Sequence, residues 1–250
     1  MHRGWSITPH YTSGYGVATF RLRGPGGELR YLKLARRSPR TIPIRDECER
    51  MCWAAAWLPV PVVIGCGTDG DVEWLLTKGI DAPDATDPAL MRDPDATVRA
   101  LARGLRRFHS APIDACPFDF RLDEALARIR RRVEGGLVEP TRDFHPEHAH
   151  LSARAALDRL ERDRPTADDP VVCHGDYCFP NALIAGGEVV GFVDLGELGV
   201  ADRWWDLAVA TWSATWNVGP GFEDAFLDAY GIAPDLHRIA YYRLMYDMAS

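Results

Sequence analysis

The pattern of the sequence changes near residue 81, and this change narrows the folds that the chain can adopt. Before it, short apolar or alternating runs of strand length are separated by glycine-containing turns. After it, apolar residues recur at the three- and four-residue spacing of amphipathic helices. A strand-rich part followed by a larger helix-rich part predicts an α+β architecture with two lobes. We place these lobes at residues 1–80 and 81–250.

The first lobe is predicted to be a small sheet with one helix. Its expected elements are strands at 17–22, 29–34, 60–64 and 72–77 and a helix at 45–58. Glycines between the first two strands predict a hairpin, and a loop of small residues at 11–16 precedes it. In the second lobe we expect helices at 96–110, 121–134, 151–162, 205–216, 222–230 and 236–248, a strand at 171–172, and a hairpin formed by 182–184 and 189–193.

Composition excludes several classes of protein. Hydrophobic residues make up 46% of the 250 residues, which is enough for a full core. The formal charge of −7 argues against a nucleic-acid-binding surface, which needs a basic stripe. No apolar stretch has the length of a signal peptide at the N-terminus, or the roughly 20 residues of a membrane span elsewhere. We expect a cytoplasmic monomer or weak dimer without membrane or nucleic-acid partners, and six cysteines that are free thiols.

One segment carries the clearest chemical signal. A short strand leads into a His-Gly-Asp sequence that ends at Asp176, and Asn181 lies five residues further on. An Asp-Leu-Gly sequence starting at Asp194 follows the expected hairpin. Because the strands of a short hairpin end side by side, these three side chains should converge. Their spacing is that of the catalytic loop of kinases, His-x-Asp-x4-Asn, followed by Asp-x-Gly.

These residue types suit phosphoryl transfer, in which the protein mainly positions the reactants and stabilises charge. Asp176 is the candidate base for an acceptor hydroxyl. Asn181 and Asp194 are candidate ligands of Mg²⁺, a hard cation that prefers oxygen. His174 is expected to brace the loop through hydrogen bonds. The alternative interpretation is a loop of Asx turns in which the carboxylates only cap backbone groups.

Phosphoryl transfer requires a site for ATP, and the first lobe contains a candidate pair for it. Lys33 lies within an apolar strand, where a lysine needs an anionic partner. Glu47 lies near the start of the following helix and can hold it, as a strand lysine and a helix glutamate pair in kinases. The alternative is an edge-strand lysine and an unrelated helix N-terminal glutamate.

Two further segments complete this expected nucleotide site. Ser13 and Tyr15 lie in a glycine-containing loop whose backbone N–H groups could cover phosphates. Lys78 and Ile80 end the sheet at the junction of the lobes. We expect an exposed backbone edge there to pair with adenine.

With these residues in place, the sequence resembles the aminoglycoside O-phosphotransferases, a family of antibiotic-resistance kinases. The resemblance extends over nearly the whole chain. It rests chiefly on Cys173-His-Gly-Asp-Tyr-Cys-Phe-Pro-Asn181, Gly191-Phe-Val-Asp-Leu-Gly196, Leu198-Gly-Val-Ala-Asp-Arg203 and Asp206-Leu-Ala208. It implies a two-lobed protein-kinase-like fold, ATP and Mg²⁺ as cofactors, and phosphorylation of a 3′ or 3″ hydroxyl of an aminoglycoside.

The same resemblance assigns roles to individual residues. It makes Asp176 the catalytic base, and Asn181 and Asp194 the Mg²⁺ ligands. It implies that Lys33 binds the α- and β-phosphates of ATP and that Glu47 orients the lysine. It also places adenine against the backbone near residues 78–80.

Three positions depart from the family pattern. Glu197 stands where family members usually have arginine, Tyr15 stands where they usually have serine, and the C-terminus has Asp247 in place of a more acidic end with two aromatics. These departures concern which antibiotic and which hydroxyl are used.

An aminoglycoside carries several ammonium groups, so its site should contain carboxylates. The candidates are Asp143, Glu147 and Asp247, followed by Asp202 and Asp206, of which Asp206 is expected to brace the catalytic loop. Two alternative functions remain: a small-metabolite kinase of the sugar-amine or choline-kinase type, and a non-catalytic nucleotide-binding pseudokinase.

Overall fold

The computed structural model describes residues 4–249, which form a strand-rich and a helix-rich lobe. The first contains an antiparallel sheet in the order β1-β2-β3-β5-β4 with one helix, α1. The elements are β1 (Ser6–Thr12), β2 (Val17–Arg23), β3 (Leu29–Arg36), α1 (Ile44–Ala54), β4 (Val63–Asp69) and β5 (Val72–Lys78). The expected hairpin is confirmed as β2 and β3, which pair from Val17 with Ala35 to Arg23 with Leu29.

Two strands of this sheet differ from expectation. β1 was not predicted, and it includes Tyr11 and Thr12 of the loop expected at 11–16; all seven of its residues are exposed, and a bulge between Pro9 and Tyr11 interrupts its register. β4 begins at Val63 and not at residue 60, since Pro61 has no N–H group to donate to a sheet ladder.

Helix α1 packs on the sheet through one regularly spaced buried face, which is apolar except for Glu47. Its buried residues are Ile44, Glu47, Cys48, Met51 and Ala54, at the spacing of one helix face. Acidic residues in its first turn stabilise the helix by interacting with the positive end of its dipole. The expectation that all cysteines are free is wrong for one pair: Cys48 and Cys66 of β4 form a disulfide, because the helix crosses the sheet with their Cα atoms 6.6 Å apart.

The second lobe is built around a helix that is buried over most of its length. Its helices are α2 (Pro94–Phe108), α3 (Leu122–Glu134), α4 (Pro140–Asp143), α5 (Ala153–Arg162), α6 (Trp204–Val218), α7 (Glu223–Tyr230) and α8 (Leu236–Ala249). Each residue of α6 from Trp204 to Ala214 is buried, and the helix contacts α2, α7 and α8. No helix within residues 4–249 is long and apolar enough to cross a membrane.

The expected inward face of α2 is confirmed. Val98, Leu101, Leu105 and Phe108 are all at most 1% exposed. Burying such a side chain stabilises the fold by about 1.5–3 kcal/mol, so this stripe fixes α2 firmly in the core of the helical lobe.

Two small two-stranded sheets in the helical lobe hold the segment with the kinase-like motif. β6 (Pro170–Cys173) pairs with β9 (Gly199–Asp202), and β7 (Ala182–Ala185) pairs with β8 (Glu188–Phe192). β9 has four residues, all buried, and no alternation that could reveal it in the sequence. The second sheet contacts the lobe junction, where Phe192 N donates to Pro59 O at 2.9 Å.

Candidate active site

The loop after β6 is fixed by one fully buried carboxylate. Asp206 of α6 accepts hydrogen bonds from the backbone N–H groups of His174 at 2.6 Å and Gly175 at 2.9 Å. Its Oδ2 also lies 2.9 Å from Nε2 of His109. Asp206 therefore braces the loop, as the sequence analysis expected, and its oxygens are occupied inside the core.

His174 also braces this loop. Its ring is fully buried, with Nε2 3.0 Å from the carbonyl oxygen of Val193 and Nδ1 accepting from the N–H of Asp176 at 3.3 Å. Both ring nitrogens are thus used to tie the Asp176 loop to the end of β8. This arrangement brings the two aspartates of the motif into one site.

Asp176 is held by hydrogen bonds to both carboxylate oxygens. Asn181 Nδ2 donates to Oδ2 at 2.9 Å, and the hydroxyl of Tyr246 on α8 donates to Oδ1 at 2.9 Å. Burial raises the pKa of the Asp176 carboxyl, and the charge of Asp194 raises it further. The result is an oriented carboxylate that accepts a proton more readily than an ordinary aspartate.

Asp194 lies directly after β8 in a strained backbone conformation. Its φ is 62°, and it is the one non-glycine residue of 4–249 with positive φ. Such strain costs of order 1–3 kcal/mol and is concentrated at functional sites. Oδ1 of Asp194 accepts from Nζ of Lys33 at 2.7 Å, so the second lobe is joined to β3 of the first.

Lys33 links two acidic side chains. Its Nζ lies 2.7 Å from Glu47 Oε2 of α1 as well as 2.7 Å from Asp194 Oδ1. Burial alone would lower the pKa of Lys33, but the charges of Glu47 and Asp194 outweigh it and raise the pKa. The lysine is therefore cationic and fixed in place. At Asp194, the charge of Lys33 outweighs the effect of burial, so the pKa of this carboxyl is lowered.

These side chains line one cleft between the lobes. The predicted residues in its lining are Ser13, Tyr15, Lys33, Glu47, Asp176 and Asp194. Three further residues of the lining, Arg40, Arg128 and Tyr246, were not predicted, and Glu197 was noted only as a departure from the family pattern. The cleft therefore combines nucleotide-site candidates from the first lobe with the kinase-like motif of the second.

The loop between β1 and β2 closes over this cleft and reaches the second lobe. Ser13 Oγ accepts from the backbone N–H groups of Tyr15 at 3.3 Å and Val17 at 3.2 Å, which fixes the turn. The Tyr15 hydroxyl donates to Asp143 Oδ1 at 2.9 Å, and the guanidinium carbon of Arg142 lies 4.8 Å from the ring centroid. Asp143 is thus bound to Tyr15, and its side chain is only 1% exposed.

None of the three predicted substrate carboxylates, Asp143, Glu147 and Asp247, is in the cleft lining. Asp247 is 4% exposed, and its Oδ2 lies 3.0 Å from the backbone N of His145 and 2.7 Å from Nδ1 of His148. Glu147 is exposed on the same segment. Asp247 therefore organises the 145–148 segment from within the protein, while its neighbour Tyr246 faces Asp176.

The predicted adenine edge lies at the end of β5. Lys78 is the last residue of the strand, and its N–H donates to Val62 O at 2.8 Å. Ile80 follows the last residue of β5 that pairs with a neighbouring strand. Its side chain packs against Gly191 of β8, because a Cβ atom built on this glycine would lie 2.6 Å from Ile80 Cδ1. The structure thus puts this segment beside the hairpin that carries Asp194.

Glu197 lies on the floor of the cleft. It is 8% exposed, and its Oε1 accepts from Nη2 of Arg128 at 3.2 Å. Burial raises the pKa of its carboxyl, Arg128 lowers it, and the charges of Asp176 and Asp194 raise it, to about 7 overall. Glu197 and Arg128 therefore form an acid–arginine pair beside the loop that carries Asp176.

Comparisons with known proteins place the chain in a family. Residues 9–242 match the family described as "Phosphotransferase enzyme family". An aminoglycoside 3′-phosphotransferase of Streptomyces fradiae is 36% identical to it, over 98% of this chain and 94% of that protein. The chain belongs to the aminoglycoside phosphotransferases. The resemblance seen in the sequence is thereby confirmed.

Solved structures agree with this assignment of the phosphotransferase. The crystal structure of an aminoglycoside-3′-phosphotransferase of type VIII superposes with a TM-score of 0.86 at 33% identity, covering 98% of this chain and 94% of that one. Aminoglycoside phosphotransferase APH(3″)-Id of Streptomyces rimosus, solved with ADP and streptomycin, gives a TM-score of 0.78 at 27% identity, covering 100% and 94%. The two-lobed kinase-like α+β fold is therefore shown for this phosphotransferase.

Proposed function

We propose that this phosphotransferase transfers the γ-phosphate of ATP to a 3′ or 3″ hydroxyl of an aminoglycoside and so gives resistance to that antibiotic. One observation carries the proposal: Asp176, held by Asn181 and Tyr246, opens onto the same cleft as Lys33 and Asp194. A base for a hydroxyl, a cation for phosphate and a carboxylate for a metal ion are the groups that phosphoryl transfer needs.

The first lobe provides the groups for the nucleotide. Lys33 binds phosphate oxygens, and Glu47 keeps its ammonium group directed into the cleft through their 2.7 Å contact. Ser13 fixes the turn that covers the phosphates. The backbone beside Lys78 and Ile80 pairs with adenine.

Asn181 and Asp194 fit a Mg²⁺ ion by the chemistry of their donor atoms. Nδ2 of Asn181 donates to Asp176, which leaves its carbonyl oxygen for a ligand. Asp194 uses Oδ1 for Lys33, and within residues 4–249 no hydrogen bond occupies its Oδ2. Bound Mg²⁺ would neutralise charge on the phosphates.

Asp176 accepts the proton of the acceptor hydroxyl. The hydrogen bonds from Asn181 and Tyr246 orient its carboxylate, and burial raises its pKa toward the range that suits a base. A positioned general base typically contributes ~10²–10⁴-fold to a rate. In this role Asp176 acts on the acceptor, whereas Lys33 and Asp194 act on the nucleotide.

The substrate side of the cleft suits a polycation. Glu147 is exposed on the segment that follows Asp143, whereas the Asp143 side chain is 1% exposed and already bound to Tyr15 and Arg142. The exposed carboxylate attracts ammonium groups and raises the rate of encounter with a cationic substrate. Asp247 supports this segment through His145 and His148.

ATP turnover measured across a panel of aminoglycosides, with NMR of each product, tests this function. We expect substrate-dependent turnover and a phosphate on one ring hydroxyl. Turnover with choline or an amino sugar alone would instead identify a metabolite kinase. Nucleotide binding without turnover of any acceptor would identify a pseudokinase. Asp176→Asn is the matched inactive control, because it keeps the size of the side chain.

A further inference from the structure

We propose that Glu197 is a specificity-determining residue that binds an ammonium group on the same substrate ring as the acceptor hydroxyl. The inference rests on the proposed function, because it assumes an aminoglycoside acceptor at Asp176. It assigns the recognition of this amine to a residue of the cleft floor and not to the acids of the 143–147 segment or the C-terminus.

Glu197 packs closely against the loop that carries Asp176. Gly175 has φ +89°, and a Cβ atom built on it would lie 2.5 Å from Glu197 Cβ and 2.6 Å from the Glu197 carbonyl oxygen. Only glycine permits both this backbone conformation and this approach. Because Gly175 immediately precedes Asp176, the position of Glu197 is tied to that of the base. A ring whose hydroxyl reaches Asp176 therefore passes close to Glu197.

The Glu197 carboxylate has one oxygen bound to Arg128 and one available for a ligand. The side chain is about nine-tenths buried and yet lines the cleft. Its Oε1 accepts from Arg128 at 3.2 Å, whereas no hydrogen bond from residues 4–249 occupies Oε2. Oε2 is not among the buried polar atoms of these residues that lack a partner, so it is open to the cleft, and a ligand that donates a hydrogen bond can reach it.

The other acids near Asp176 are already bound to neighbouring groups. Asp194 is bound to Lys33, and Asp247 is bound to His145 and His148. Asp143 accepts from Tyr15 and Arg142 and is not in the cleft lining. Among the described residues that line the cleft, Glu197 is thus the acid next to Asp176 that does not contact Lys33.

The charge around Glu197 favours an ammonium group over other ligands. Its carboxylate repels the phosphate groups that Lys33 attracts. Arg128 already places one positive charge on Oε1 and is itself held by Ala249 O at 3.3 Å. A second, singly charged donor at Oε2 matches this arrangement better than a divalent cation, because Arg128 lies so near. A substrate amine then makes a charge-assisted hydrogen bond in a partly desolvated site.

The test uses two aminoglycosides that differ only in carrying an amino group or a hydroxyl at one position of the ring that is phosphorylated. For each enzyme, the ratio of kcat/KM for the amino compound to that for the hydroxyl compound is measured. We expect Glu197→Gln to lower this ratio roughly 10- to 100-fold, the range of one hydrogen bond to a charged group. Glu197→Asp should retain most of the ratio, because it keeps the charge.

Asp202→Asn is the matched control. Asp202 is another buried acid, 3.2 Å from the guanidinium of Arg238, and it lies outside the cleft lining. This variant also loses a buried acid–arginine pair, so it reports the effect of lower stability on activity. We expect its amino-to-hydroxyl ratio to equal that of the unmodified enzyme.

Two outcomes overturn the inference while leaving the proposed function intact. One is a Glu197→Gln variant that phosphorylates aminoglycosides with the same amino-to-hydroxyl ratio of kcat/KM as the unmodified enzyme. The other is a loss in Glu197→Gln that disappears at high Mg²⁺ concentration, which would make Glu197 a metal ligand. An unmodified enzyme that phosphorylates no aminoglycoside would instead overturn the proposed function. Circular dichroism of each variant verifies that the protein is folded before its ratio is interpreted.

Discussion

Tyr246 donates a hydrogen bond of 2.9 Å from its hydroxyl to Oδ1 of Asp176, which joins the last helix of the chain to the catalytic loop. Asn181 occupies Oδ2 of the same carboxylate. The proposed base is therefore oriented from two directions, by its own loop and by α8. In the proposed mechanism, Tyr246 acts through the position and proton affinity of Asp176.

Removing the Tyr246 hydroxyl should shift the pH dependence of the enzyme. This hydrogen bond lowers the pKa of Asp176, against the larger effect of burial, which raises it. In Tyr246→Phe the pKa of Asp176 should rise, so the carboxylate becomes protonated at a higher pH. We expect the acidic limb of kcat/KM to move to higher pH. Tyr241→Phe is the control, since Tyr241 is a buried tyrosine of α8 that donates to Leu160 O; an identical shift in both variants would contradict the assignment.

The two aspartates of the motif should have separable roles. Asp176→Asn keeps the size of the side chain but removes the charge, so we expect kcat to fall by ~10²–10⁴-fold with little change in KM. Asp194→Ala should abolish turnover that depends on Mg²⁺ and ATP, and added Mg²⁺ should restore part of it. Steady-state kinetics over a range of Mg²⁺ concentrations distinguish these cases. Normal kcat with altered metal dependence in Asp176→Asn would mean that the roles are reversed.

Lys33→Ala should act mainly on the nucleotide. The substitution removes the cation that contacts Glu47 and Asp194 at 2.7 Å and leaves both carboxylates facing the phosphates. We expect KM for ATP to rise roughly 10- to 100-fold, the range of a hydrogen bond to a charged group, with a smaller change in KM for the acceptor. Glu47→Gln should also raise KM for ATP, but by a smaller factor. Unchanged ATP kinetics in Lys33→Ala would remove the phosphate-binding assignment.

The parts of the site that are close in sequence could be predicted from it. Asp176, Asn181 and Asp194 lie within one loop and one hairpin, so their spacing determines where they meet. The pairing of Lys33 with Glu47 follows from a lysine in an apolar strand and an acid on the next helix. In both cases the spacing of the residues and the partners that their charges require predict the same contact.

The remaining parts depend on packing between distant elements. Tyr246 and Asp247 are adjacent on α8, and one residue corresponds to a rotation of about 100° around a helix. The packing of α8 against α3, α5 and α6 decides which of the two faces Asp176, and no local pattern reveals this rotation. The Cys48–Cys66 disulfide likewise depends on how α1 crosses the sheet.

The contact between Tyr15 and Asp143 should make their effects interdependent. The Tyr15 hydroxyl donates to Asp143 at 2.9 Å and holds the loop between β1 and β2 against the second lobe. Tyr15→Phe and Asp143→Asn should each raise KM for ATP a few-fold. The double variant should resemble the more affected single variant, because both changes break one contact. Kinetics of all four enzymes give the interaction energy; strictly additive effects would show that the contact does not contribute to nucleotide binding.

Glu197→Gln should stabilise the protein at high pH. Burial raises the pKa of Glu197 from 4.5 to about 7, so the folded protein keeps a proton that the unfolded chain releases near pH 4.5. Between these values the folded state binds more protons than the unfolded state, and the free energy of unfolding falls as the pH rises. The glutamine side chain of the variant does not titrate, so the stability of the variant relative to the unmodified protein should increase by roughly 2–3 kcal/mol from pH 5 to pH 8. Urea unfolding of both proteins at the two pH values measures this difference, in which the titration of other groups largely cancels. A difference independent of pH would mean that Arg128 keeps Glu197 ionised throughout this range.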